Sequence, residues 1–173
     1  DLSSATESAL IQYGTTGNGQ MFSLITSLNA PGKLYFFGFG SDLFGTTTLQ
    51  PNQWYHGAVT FDGTTLALYL NGQVEATTVM SLNTIVDANG LTISRRPDSN
   101  AYWTGQIDEP AIYNRALSLL EIQSIFNAGT SGKSKPTATV APTGIVGFWA
   151  GDGDSNDIAG SNNGTLLNGA GFA

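Results

Sequence analysis

The sequence contains no cysteine, and that one absence removes disulfide staples, thiolate metal sites and cysteine nucleophiles together. Charge is scarce as well. Asp, Glu, Lys and Arg make up 11% of the chain, too little for a charge-driven disordered segment or a coiled coil. Bases are the scarcer sign, 6 against 13 acids, for a net charge of −7, and they form no run longer than Arg95-Arg96. A nucleic-acid binder needs a cationic surface to neutralise phosphates, so no nucleic-acid partner is expected. No stretch approaches the roughly 20 apolar residues of a membrane span. With His56 as the single histidine, zinc has no set of His or Cys ligands, and nothing makes a serine and an acid converge on His56 as a triad would require. Asp1-Leu2-Ser3 is neither an initiator Met nor a signal-like start, and reads as a fragment or processed chain.

What is present is glycine, 22 residues of it in a chain of 173, mixed with Ser, Thr and Asn between short apolar runs. That length is about one domain's worth and can bury a core. The mixture favours many short strands joined by tight turns. Residues 8–13, 21–28 and 33–39 read as strands, the last with the aromatic run Leu34-Tyr35-Phe36-Phe37; Gly14 to Gly19 and Asn29 to Gly32 read as turns. Between 54 and 79 a three-stranded meander is expected. Trp54 to Phe61 alternates like a half-buried strand with Trp54, Ala58 and Thr60 on one side, Asp62-Gly63 turns, Thr65 to Leu70 follows, and Asn71-Gly72 signals a type I′ hairpin.

Leu91 to Ser94 is a further short strand, and Gly105 to Tyr113 another, in which Pro110 removes a ladder donor and predicts an edge or a bulge. One helix is expected, capped by Ser118 with Glu121 three residues on, and running to Asn127. Residues 129–143 have linker composition. Structure then resumes with the strand Gly144 to Trp149, the acidic turn Asp152 to Asp157 and a turn-rich tail.

Three motifs in order resemble the laminin-G-like, concanavalin-A-like family of bacterial exoproteins. The first is Gln53-Trp-Tyr-His-Gly-Ala-Val-Thr-Phe-Asp-Gly63, and the second Leu66-Ala-Leu-Tyr-Leu-Asn-Gly72. The third is Gly105 to Ser118 followed by Glu121-Ile122. The resemblance covers about residues 8–128 and implies an all-β fold, a two-sheet antiparallel jelly-roll sandwich with one short helix. Gly144-Ile-Val-Gly-Phe-Trp149 and its loop resemble the family's opening strand, out of place after the helix. The expected organisation is a sandwich body over 1–128, a linker over 129–143, and an opening-strand-like segment over 144–173. That segment either begins a further repeat or closes the same or a neighbouring sandwich. An open apolar edge is an aggregation hazard, so pairing of 144–149 with 105–113 is expected, with a strand-exchanged homo-oligomer as one route to it.

If those strands pair, Asp108 meets Asp152, Asp154 and Asp157 beside glycine carbonyls, a donor set suited to a structural calcium ion. The resemblance implies the same ion between first and last strands. Such Asp/Asn/Gly loops also occur simply as turns. For ligand contact the class uses sheet-face or loop aromatics, and Tyr102, Trp103, Tyr35 and Phe37 are the candidates. Catalysis by a concanavalin-like hydrolase needs carboxylates at alternate strand positions. Asp108 and Glu109 are consecutive and would point apart, while Glu7, Glu75 and Glu121 stand alone. No catalytic residue is therefore assigned. The expected function is a secreted, non-catalytic module that binds a glycan or an extracellular protein. A glycoside hydrolase or lyase of the same fold and a structural spacer or adhesion repeat are the alternatives.

Overall fold

The computed structural model describes residues 8–26, 32–85, 88–99, 101–129, 142–167 and 169–172. It divides into two compact units, Asp1–Gly105 and Gln106–Ala173. In the first unit β1 is Ser8–Gly14, β2 Met21–Thr26, β3 Leu34–Phe37 and β4 Leu43–Phe44. The meander follows as β5 (Gly57–Phe61), β6 (Thr65–Leu70) and β7 (Gln73–Val79), and then come β8 (Leu91–Ile93), β9 (Arg95–Arg96) and β10 (Ala101–Tyr102). Described sheets have five, three, two and two strands: β4-β3-β2-β1-β8, β5-β6-β7, β10-β9 and, in the second unit, a pair formed by Ala111–Tyr113 and Ile145–Phe148. The architecture is mostly β, with several antiparallel sheets and one helix among the described residues.

The unbroken apolar run of β3 has a physical reason. Ile25 opposes Tyr35 and Ser23 opposes Phe37, whereas Leu24 opposes Phe36. Adjacent residues therefore leave opposite faces of the sheet, and both faces are apolar. Ala9, Met21, Ile25, Tyr35 and Phe37 form one cluster. Leu24 and Leu34 join Leu49, Leu68 and Leu70 in a second, which fastens the five-stranded sheet to the meander. Burying each such side chain is worth roughly 1.5–3 kcal/mol. Glu75 on β7 adds a polar clamp: its carboxylate accepts from the backbone N–H groups of Thr46 (2.7 Å) and Thr47 (2.9 Å), just past β4.

The turns form as their residues dictate. Asn71 and Gly72 both sit at positive φ, 49° and 74°, as a type I′ hairpin needs, and Asn71 Oδ1 accepts from His56 N at 2.9 Å. Asp62 Oδ1 accepts from Thr64 N and Thr65 N at 2.9 and 2.7 Å. One expectation fails here. The strand expected from Trp54 starts only at Gly57, and Trp54 lies before it, 65% exposed. Asn29 to Pro31 lie outside the described residues, as do 130–141 of the expected linker.

In the second unit β11 is Ala111–Tyr113, α1 Leu119–Ala128 and β12 Ile145–Phe148. The strand expected over 105–113 is thus only its last third. Pro110 has no N–H to offer and Glu109 sits at φ 48°, so the ladder cannot extend back through them. What remains pairs with the late segment as anticipated: Ala111 opposes Phe148, Ile112 opposes Gly147 and Tyr113 opposes Ile145. Trp149 N donates to Pro110 O at 3.1 Å.

Both halves of the capping box are present at α1, Ser118 Oγ accepting from Glu121 N and Glu121 Oε2 accepting from Ser118 N. Arg115 grips the same carboxylate at 2.6 and 2.9 Å and donates from Nε to Thr143 O at 2.8 Å, tying the helix start to the entry of β12. Hydrogen bonds from Arg115 and from Ser118 lower the Glu121 pKa from 4.5 to about 2. A depressed carboxylate stabilises the fold above its unfolded pKa and loses that effect as pH falls through the folded one. Glu121→Gln should therefore melt lower than the parent at neutral pH, with the gap closing between about pH 4.5 and 2. Thermal melts of both proteins across that range check this, and a gap independent of pH would contradict it.

Candidate functional site

Of the aromatic candidates, Tyr35 is corrected first. It is 0% exposed, stacked on Phe44 with centroids 4.7 Å apart and edge-on to Phe37 at 6.2 Å. A ring held wholly inside a sheet face cannot meet a ligand. Phe37 is buried too, yet it lines a shallow recess of about 230 Å³ together with Phe39 and Gly40. That volume is below the range of pockets for drug-sized ligands and suits a single ring.

Phe39 was not singled out from the sequence. It is 39% exposed, edge-on to Phe37 at 5.9 Å, and sits at φ 58°. Positive φ is costly for a bulky L residue. The loop imposes it from both sides: Gly38 N donates to Asp42 Oδ1 (3.0 Å) and Gly19 N to Gly38 O (2.9 Å). Gly38 has no room for a side chain, since a Cβ there would lie 2.4 Å from Ser41 O. Ser41 Oγ donates to Asn18 Oδ1 at 2.7 Å. The available signal was an aromatic between two glycines, Gly38-Phe39-Gly40, immediately after a strand.

The β9–β10 ribbon supplies the charged neighbours. Arg96 lies over the Phe37 ring, its Cζ 4.3 Å from the centroid, which is cation–π range. Its Nε donates to both Asp98 oxygens at 3.1 Å and its Nη2 to Oδ2 at 2.9 Å. Gln12 Nε2 adds a bond to Asp98 Oδ1 at 3.3 Å. Burial raises the Asp98 pKa, but the Arg96 hydrogen bonds and charge outweigh it and the carboxyl ends below its usual value. The register pairs Arg96 with Ala101 and Arg95 with Tyr102, so Arg95 and Tyr102 share the opposite face. Tyr102 is 41% exposed. Trp103 is partly buried, donating its backbone N–H to Ser94 O at 3.0 Å, and its indole covers Gly105.

The acidic candidates do not form one group. Asp108 does lie beside the acidic turn, its Oδ1 4.0 Å from where a Cβ on Gly151 would stand. Asp152 and Asp154 are exposed, and Asp154 Oδ1 accepts from Asn156 N at 3.0 Å. Asp157 instead turns inward. Its Oδ1 accepts from the N–H groups of Phe148, Ala159 and Gly160, and its Oδ2 from Asn162 N and Nδ2, all at 3.0–3.1 Å. Burial raises its pKa, but these hydrogen bonds outweigh that effect and the carboxyl ends below its usual value. With its lone pairs engaged, Asp157 has little left for a cation. No three of Asp, Glu and His gather into a metal-holding group among the described residues. The four acids therefore do not fit the calcium expected of them, and Asp157 is the organiser of its own loop. The signal for this was its Asx-type spacing to Ala159 and Gly160.

Antiparallel sheets and one capped helix make the described residues mostly β. The profile of the concanavalin A-like lectin/glucanases superfamily matches residues 2–123, and the chain belongs to that family. No curated protein matches it. Among solved structures, a candidate carbohydrate binding protein from Bacteroides ovatus is similar at 21% identity and a TM-score of 0.71. The match covers 96% of this chain and 51% of that one, so the chain spans about half its length. An S-layer domain-containing protein from Clostridium thermocellum (residues 221–444) matches at 25% identity over 73% of this chain and 65% of that one, with a TM-score of 0.42. No helix among the described residues is long and apolar enough to cross a membrane.

For Asp157, exchange to Asn replaces an acceptor with a donor facing N–H groups and should cost on the order of 2 kcal/mol. A chelator should leave the parent's melting temperature unchanged. Differential scanning calorimetry checks both, and a chelator-induced drop reversed by calcium would contradict the assignment.

Proposed function

We propose that this chain is a non-catalytic, extracellular binding module that recognises carbohydrate, with Phe39 and its recess as the contact. The carrying observation is Phe39 itself, an aromatic held at positive φ and partly exposed over an apolar floor. Backbone strain at an exposed aromatic suits a ligand clamp, where the surrounding loop over-determines the conformation. Sugar rings offer apolar C–H faces that stack on such rings. The fold shared with the Bacteroides ovatus protein, itself a candidate carbohydrate binding protein, is consistent with this reading. So is the engagement of Asp62, Glu75, Glu121 and Asp157 in turns and caps, a role that serves the fold. The lysine-poor, Ser/Thr/Asn/Gly-rich composition supports a place outside the cell.

Affinity electrophoresis on a polysaccharide panel tests the reading. At least one polysaccharide should retard the parent without release of reducing sugar, and Phe39→Ala should abolish the retardation. The substitution should lower stability by no more than about 1.5 kcal/mol, the worth of one edge-to-face contact. Full retardation of Phe39→Ala would contradict the proposed contact. Reducing-sugar release would favour a hydrolase, and unsaturated product a lyase.

A further inference from the structure

The recess beside Phe39 is chemically one-sided. Phe37, Phe39 and Gly40 line it, and none of the three brings a polar side chain. A hexose carries hydroxyls around its whole edge, and one pressed against such a wall loses water without gaining a partner. Each group so stripped weakens binding about tenfold or more. The recess therefore suits an apolar substituent of a sugar rather than its hydroxylated edge.

The rim adds one directed donor. Asn18 is exposed, and Ser41 sets the orientation of its amide by donating from Oγ to Asn18 Oδ1 at 2.7 Å. Asn18 Nδ2 donates to no group among the described residues. A Cβ on Gly40 would stand 3.6 Å from that nitrogen. Gly40, at φ 96°, has no Cβ, so the space between the recess and the Asn18 amide stays open.

We infer that the recess selects an acetyl substituent on the sugar, its methyl group lying against Phe37 and Phe39 and its carbonyl oxygen accepting from Asn18 Nδ2. The inference rests on the carbohydrate reading above and narrows it to a class. An acetyl group joins an apolar end to a carbonyl acceptor one bond away, matching both features in few atoms. A 6-deoxy methyl group has no such acceptor. Acetamide and acetyl ester share the chemistry, so N-acetylated and O-acetylated glycans are its two sources.

Isothermal titration calorimetry on the full chain compares tetra-N-acetylchitotetraose with cellotetraose, which has the same β-1,4 backbone and a hydroxyl in place of each acetamido group. Both are uncharged, so the net charge of −7 favours neither. Affinity gels of acetylated xylan, and of the same xylan deacetylated with mild alkali, form the ester arm. In at least one pair the acetylated ligand should bind about tenfold or more tighter, from methyl burial plus one hydrogen bond. The first pair reads the amide and the second the ester. Asn18→Asp keeps an acceptor for Ser41 Oγ but removes the N–H donor. It should weaken the acetylated ligand about fivefold, the worth of one hydrogen bond between neutral groups, and narrow the preference accordingly. Should Asn18→Asp fail to fold, Ser41→Ala releases the amide and reads the same contact. Equal binding within both pairs, abolished by Phe39→Ala, would overturn the inference while leaving the carbohydrate reading in place. An acetyl preference that Asn18→Asp leaves whole would overturn it too, as would silence toward all four ligands. Silence across the wider polysaccharide panel would remove both readings.

Discussion

Everything proposed for the first unit depends on the leucine contact between its two larger sheets. Leu24 and Leu34 on one side meet Leu68 and Leu70 on the other, with Leu49 closing the cluster. That contact fixes β3, and β3 delivers the chain into the tight loop where Phe39 is held. It also frees the opposite face of β3 to carry Tyr35 and Phe37, the second of which becomes the floor of the recess. Without the inter-sheet contact there would be no rigid platform from which a strained aromatic could be displayed.

Scarcity of charge gives the few carboxylates unusual weight. Asp62 closes a hairpin turn, Glu75 joins β7 to the segment after β4, Glu121 caps α1 and Asp157 gathers N–H groups around the turn after β12. In each case the acceptor is matched to backbone donors that a turn or helix end would otherwise leave unpaired. Arg96 with Asp98 belongs to the same pattern, a neutralised pair lying on an aromatic ring.

The sequence showed local features where one residue's conformational preference decides the outcome. Asn71-Gly72, the Ser118–Glu121 box and the obstacle at Pro110 all act within a few residues, and each is found as read. The pairing of the late strand with Ala111–Tyr113 was also legible, through its likeness to an opening strand and the need to cover an edge. Exposure was less so. Tyr35 and Phe39 are both aromatics near one strand, and only the three-dimensional sheet decides that the first is enclosed and the second displayed. Trp54 shows a related limit, since alternation carried the strand back to it while the strand begins three residues later. Asp157 looked like a ligand because an acid-rich loop and a metal loop use the same residues. Only the direction of its carboxylate separates them.

The most direct measurement is a two-dimensional amide NMR titration of the labelled chain with a soluble oligosaccharide from whichever polymer retards it. Saturable shifts confined to residues 18–19 and 38–42 are the predicted result. Shifts centred instead on Trp54 and its neighbours would contradict the account.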